Sequence, residues 1–278
     1  MKKIIVLALA ALLAVPAVVA AKSIRGSGNI ITKTITLTQE YTKIEASRGV
    51  KVEVEERTDN EVIIHANDNI MPFVEFEIDE GELEITIDDD ISSLNNVTVI
   101  VSLPANPNLT KVAASSGACV QIQSEINVKV FRAETSSAAQ IAFSRANVEQ
   151  FAVESTSGSS VRGTLKADNG YLEASSAGAI EIDILSLRCS AKSSSGSKIS
   201  LEGEVGTLYA EASSAGKVLA SDCPVLELVN AKASSGALIR VNSCKKLVAK
   251  ASSAGSIRYE GEGTVSTEIS SGGSIKRM

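Results

Sequence analysis

From residue 109 onward, apolar and polar positions alternate with a period of two, and the alternation restarts at a short phrase that recurs nine times. The phrase is two hydroxyl residues, a Gly or Ala turn, then a β-branched residue. Copies begin at Ser115, Ser136, Thr156, Ser175, Ser194, Ser213, Ser234, Ser252 and Ser270, in steps of 18 to 21 residues. Five residues past each start stand Val120, Ile141, Val161, Ile180, Ile199, Val218, Ile239, Ile257 and Ile275. Before each start, the first and third residues are mostly small and the fifth is larger, as at Phe131, Phe151, Leu208 and Leu247. Alternation on both sides of a turn marks short strands with one inward face. Gly supplies the turn in eight copies, Ala138-Ala139 being the exception, because glycine reaches positive φ without a Cβ clash.

About twenty residues cannot hold a strand, a crossover helix and a returning strand, and no segment shows helical apolar spacing. A repeat of this length means stacked units. The pattern predicts an all-β protein, a right-handed parallel β-helix with two or three short strands per coil. Nine coils at about 4.8 Å make a rod roughly 43 Å long. Stacking places equivalent residues over one another. The second hydroxyl of each phrase has inward parity, so a self-satisfying column of corner hydroxyls is expected.

Upstream the pattern changes. Met1 to Ala21 reads as a secretory signal peptide, with Lys2 and Lys3 before an apolar centre and small residues at the cleavage site. Residues 22–40, with Gly26-Ser27-Gly28-Asn29, read as a flexible lead-in. Residues 41–108 read as a cap coil and an antiparallel β section. Tyr41 to Gly49 aligns with Leu109 to Gly117, so a first, more charged coil starts near residue 41. Phe73 to Ile78 and Leu83 to Ile87 flank an acidic Gly turn, a hairpin signal. A half-sandwich continuous with the first coil is expected there. Residues 109–278 are the Ser/Gly-repeat β-helix.

Composition narrows the chemistry. Hydrophobic residues make up 44% of the chain but aromatics only 3%, without Trp. Such a core suits a narrow coil, and the scarcity argues against a carbohydrate-binding face built on stacked rings. Removing Lys2 and Lys3 takes the formal net charge from −6 to −8, which disfavours a nucleic-acid partner. His65 is the single histidine, so a Ser-His-Asp relay or a His-based metal site lacks its parts. Asp88-Asp89-Asp90 reads as a solvated acidic loop, and Ser195-Gly196-Ser197-Lys198 matches SxxK only as a Ser-rich chain would by chance. Neither a zinc CxxC nor a glycine phosphate loop occurs. No cofactor and no catalytic residue is expected. Cys223 and Cys244 stand ten residues past adjacent phrase starts, so they are expected to stack one coil apart, bonded or in contact. Cys119 and Cys189 are expected to be free.

The GSGN at residues 26–29, the block Ile44 to Val54, the hairpin Phe73 to Ile87 and the Ser-Gly repeats together resemble the putative auto-transporter adhesin, head GIN domain family, over about residues 26–258. The resemblance implies an exported bacterial protein and surface attachment, and it brings no catalytic residues. Three function classes follow. The first is an exported, non-catalytic β-helix for adhesion or for binding envelope polysaccharide or a surface protein. It would be periplasmic, surface-bound or extracellular, with no integral span after signal removal. The second is a polysaccharide lyase or hydrolase on the same scaffold. The third is a self-associating structural envelope protein using open coil ends. Charged residues two before the phrase, including Glu154, Glu173, Lys192, Glu211, Lys232 and Lys250, predict an outward column of mixed sign.

Overall fold

A computed structural model describes residues 22–278; the signal-peptide reading of residues 1–21 lies outside them. The first strands are β1 (Lys22–Arg25), β2 (Ile30–Thr36), β3 (Lys43–Ala46), β4 (Lys51–Val54), β5 (Glu61–Asn67), β6 (Val74–Asp79), β7 (Glu82–Ile87), β8 (Ile91–Asn95) and β9 (Val99–Leu103). The repeats supply β10 (Lys111–Ala114), β11 (Cys119–Ile122), β12 (Ile126–Thr135), β13 (Gln140–Ser155), β14 (Ser160–Ala174), β15 (Ala179–Ser193) and β16 (Lys198–Ala212). The last are β17 (Lys217–Ala233), β18 (Leu238–Ser243), β19 (Lys246–Ala251), β20 (Ser256–Glu260), β21 (Thr264–Ile269) and β22 (Ser274–Arg277).

These strands form a β-solenoid of about nine turns. Neighbouring coils pair in parallel, and the β-branched residues after each phrase line up as predicted. Val120, Ile141, Val161, Ile180, Ile199, Val218, Ile239, Ile257 and Ile275 are successive register partners. The file continues the other way through Val52, Val101 and Ile64. From Ile64 to Ile257 its members are at most 2% exposed. Each such side chain contributes roughly 1.5–3 kcal/mol by leaving water. The long strands wrap most of a coil, and inward alternation breaks where two outward residues adjoin, as at Asp168-Asn169 and Leu187-Arg188. The interior is therefore narrow. The Phe131 and Phe143 rings meet edge to face at 5.5 Å, and the Phe143 and Phe151 rings occupy the space a Cβ would take at Gly163 and Gly170.

The corner differs from the expectation in one respect. The second hydroxyl of each phrase is exposed, as at Ser116, Ser157 and Ser195. It and the next residue both have positive φ, for example Ser157 at 55° with Gly158 at 70°, and Ser176 at 47° with Ala177 at 63°. Two consecutive left-handed residues turn the chain so sharply that the second hydroxyl points out. The inward corner positions are the residue before the phrase and the fourth residue of it. These are Ser155 with Ser159, and Ser193 with Ser197, all buried. Left-handed Ser and Ala cost about 1–2 kcal/mol each, and the stack holds them there. The amide after each left-handed Ser donates to the equivalent Ser carbonyl one coil on, as Gly158 to Ser176 at 3.1 Å and Gly196 to Ser214 at 3.0 Å. The backbone ladder thus runs through the corner.

Residues 22–40 are not a loose lead-in. β1 pairs with β8, and β2 pairs antiparallel with β5 from Ile30 opposite Asn67 to Thr36 opposite Glu61. The GSGN turn is fixed by Asp68, whose carboxylate accepts from Ser27 Oγ at 2.6 Å and Asn29 Nδ2 at 2.8 Å. Residues 55–108 form no half-sandwich. β7 lies parallel to β3 and β9 parallel to β4, as one more coil. β6 then closes one side as an antiparallel strand, while on the other β5 pairs antiparallel with β9 and carries β2 beyond it. The chain order is unexpected. The coil of β3 and β4 lies between residues 82–103 on one side and β10 with β11 on the other. The chain therefore runs outward first and returns through residues 104–110. The ladder is unbroken across 108/109.

Candidate functional site

The outward surface of the strands before the corner carries the best-ordered polar array. Two residues before the phrase, Glu134, Glu154, Glu173, Lys192, Glu211, Lys232, Lys250 and Glu268 stack in register. The file extends past Ala113 to Glu45, Glu84 and Glu77. Like charges on adjacent strands repel. Burial, with Glu45, Glu75 and Glu77 nearby, accordingly pushes the Glu84 carboxyl above its ordinary range. A parallel file carries Lys43, Lys111 and Arg132, then Ala152, Tyr171, Ser190, Tyr209 and Asn230. Lys111 bonds Glu134 at 3.1 Å. A shallow depression along the corner is lined by Glu45, Glu134, Glu154, Glu173, Ser136 and Ser175.

Behind that surface lies a buried hydroxyl network. Ser159 Oγ meets Thr135 Oγ1 at 2.9 Å and Ser155 Oγ at 3.0 Å. Ser197 Oγ donates to the Ala174 carbonyl at 2.7 Å, and Lys217 N donates to Ser193 Oγ at 3.0 Å. These hydroxyls have internal partners and serve the scaffold.

A second groove, of about 700 Å³, opens on another side around Gly206. Leu185, Leu187 and Leu226 border it at 50%, 64% and 38% exposure, and Arg145, Lys166, Asp168 and Glu204 also line it. A side chain at Gly206 would press on the Leu187 carbonyl, 2.6 Å from a Cβ placed there. The sequence offered no signal for this groove, since it needs residues from five successive coils.

The remaining candidates separate. Cys223 is buried and Cys244 exposed, and both are free thiols, so the expected pairing is absent from the structure. Their equal offset misleads because the longer coil inserts residues between Ala220 and Pro224, where the register shifts. Ser243 pairs with Val225, which carries Cys244 past the level of Cys223. Burial pushes the Cys223 thiol up to about 12 and raises Cys189 further, so both stay protonated and unreactive. Cys119 and Cys189 are free. Asp89 pairs with Arg48 at 3.0 Å, and Asp88 accepts from the Asp90 amide at 2.8 Å. Ser195 is a left-handed corner residue, and Lys198 pairs with Glu181 at 2.8 Å. His65 bonds Thr32 Oγ1 at 2.9 Å. Among the described residues, no group of three or more His, Cys, Asp and Glu is placed to hold a metal ion, and no helix is long and apolar enough to cross a membrane.

Fold and surface together define a stacked-coil β-solenoid with ordered outward files on a hydroxyl-braced corner. The family described as putative auto-transporter adhesin, head GIN domain, matches residues 40–164 and 160–263. The chain belongs to that family. A putative adhesin from Parabacteroides merdae ATCC 43184 is similar at 17% identity and TM-score 0.72, over 93% of this chain and 100% of that one. A putative adhesin from Parabacteroides distasonis ATCC 8503 is similar at 18% identity and TM-score 0.68, over 92% of this chain and 100% of that one. A putative lipid binding protein from the same organism is similar at 19% identity and TM-score 0.62, with 92% of this chain and 100% of that one covered. At these identities the likeness is one of fold. No curated protein matches the sequence.

Proposed function

We propose that this is an exported, non-catalytic binding rod that attaches to envelope polysaccharide or a surface protein through the side before its corner. One observation carries the reading: outward polar residues, interrupted by Ala113, stand in register over successive coils from Glu45 through Glu268, on a backbone hydrogen-bonded from coil to coil through the corner. A rigid ladder of donors and acceptors suits an extended ligand, because little order has to be created on binding. The family description supports the same reading.

The test is a glycan array and an envelope-extract pull-down with the secreted protein and its Glu154→Lys/Glu173→Lys variant. Wild-type capture that weakens in the variant is expected. Equal capture by both would overturn the assignment of this side. Release of unsaturated or reducing ends from the captured polysaccharide would replace binding by catalysis.

A second reading is contact with a lipid surface through the Leu185, Leu187 and Leu226 groove. Its three exposed leucines favour it, and one structural neighbour is described as a putative lipid binding protein. Co-sedimentation with phospholipid vesicles, lost in Leu187→Asp, tests it.

A further inference from the structure

We infer that the stretch around Tyr171 and Tyr209 is a saccharide subsite for an extended β-linked hexose chain laid along the rod axis; this rests on the binding reading above and names its ligand. The sequence holds only four tyrosines, a scarcity that by itself argues against a stacked-ring face, but the fold concentrates two of them on one outward file. Tyr171 pairs with Ser190, and Ser190 with Tyr209. The two rings are thus two coils apart, about 9.6 Å, with a small side chain between them. Tyr209 is 46% exposed. Tyr171 is held at its hydroxyl and over its ring. Its hydroxyl donates to the Glu173 carboxylate, and Lys192 Nζ lies over its ring, 5.5 Å from the centroid, on an exposed side chain that a sugar face would displace toward the sugar's hydroxyl rim.

The file alongside reads Glu173, Lys192, Glu211, Lys232, alternating in sign from coil to coil. It offers an acceptor and a donor in turn with no net charge, so neither a polyanion nor a polycation is favoured. A hydroxyl-rich neutral chain is satisfied by both. Ser190, Tyr209, Lys192, Glu211, Asn230 and Lys232 line one shallow hollow beside Tyr209.

A pyranose presents an apolar C–H face, which an aromatic ring covers, and a rim of hydroxyls that needs polar partners. In an extended β-linked chain successive sugars are flipped, so the same face recurs at every second residue. One sugar advances by about one coil height. Two rings separated by two coils therefore meet the same face of alternate sugars, while the alternating charges reach the rims. The strands run across the rod axis, so the chain lies over the strand backs and needs no free sheet edge.

Titration calorimetry of the full secreted protein with cellohexaose and chitohexaose tests this, using Tyr209→Ala, Tyr171→Ala and Tyr209→Phe variants. At least one hexaose should bind. Each alanine variant should weaken it about three- to tenfold, Tyr209→Phe should stay within about twofold, and the matching disaccharide should bind more weakly than the hexaose. Tyr209 is exposed, so its loss should leave the circular dichroism unchanged. Unaltered hexaose affinity in Tyr209→Ala overturns the subsite. So does a failure of both hexaoses to bind while the array still shows capture that depends on Glu154 and Glu173. An array with no such capture overturns the binding reading itself.

Discussion

Replacing Gly170 by Ala tests how the coil interior is packed. Gly170 and Phe151 are register partners on adjacent coils. A Cβ at Gly170 would lie 1.6 Å from Phe151 Cζ and 1.8 Å from Cε1. Gly170 has an ordinary strand φ, so elsewhere this substitution would stabilise by about 0.4–1 kcal/mol through the unfolded chain. The ring sets the opposite sign here. Phe151 is 4% exposed, and Phe131 occupies the same inward file one coil earlier, so the ring has little room to swing away. Overpacking of this kind costs about 1–3 kcal/mol, which lowers the melting temperature by roughly 2–8 °C for a chain of this size. Phe151→Leu alone should cost about 1 kcal/mol. In that background Gly170→Ala should become neutral or stabilising, a coupling of about 1–3 kcal/mol. Guanidinium unfolding followed by far-ultraviolet circular dichroism measures all four corners of the cycle. Equal effects of Gly170→Ala in both backgrounds, or no loss in the parent, would refute the interlocking of ring and glycine.

At the corner, Gly158→Ala should cost about 1 kcal/mol by strain alone, since nothing lies within 4 Å of the added Cβ. Ala177→Gly should stabilise by about 0.5 kcal/mol in the same unfolding assay, because it relieves a φ of 63° at the expense of chain entropy. Two serines of one phrase should behave differently. Ser197→Ala, which removes a buried hydroxyl bonded to Ala174 and Ser193, should cost about 1–3 kcal/mol, whereas Ser195→Ala, exposed, should stay within about 0.5 kcal/mol. For the thiols, iodoacetamide with mass spectrometry should label exposed Cys244 in the native protein and buried Cys189 and Cys223 only after unfolding. Burial raises both buried thiols, so the folded state keeps protons that the unfolded chain releases near pH 8.5. Their contribution is complete below that pH and is lost as pH rises toward about 12. The urea midpoint should therefore fall above about pH 9, less steeply in Cys189→Ala/Cys223→Ala.

Most of the solenoid is legible in the residues because its rules are local. A β-branched residue five after each phrase fixes the inward parity, and a one-residue slip would turn that file outward. The fixed spacing then makes stacking the way to bury it. The direction of the second hydroxyl was not legible, since parity counting assumes an extended backbone and Ser157-Gly158 is left-handed at both residues. Cys223 and Cys244 show the same limit. An offset counted from a phrase predicts height in the stack only while coils are equal in length, and the insertion before Pro224 breaks that.

The amino-acid order by itself settled the class of fold, the inward file from Val120 to Ile275 and the outward charged column, because neighbours a few residues apart dictate each of them. It did not settle that the coil of Lys43–Val54 would sit between residues 82–103 and residue 111 onward, that Ile30–Thr36 would add an antiparallel edge, or that Tyr171 and Tyr209 would share a file. Those depend on which strand backbones find each other across long loops. That choice is made by competition among whole-chain pairings and not by the residues on either side of a turn.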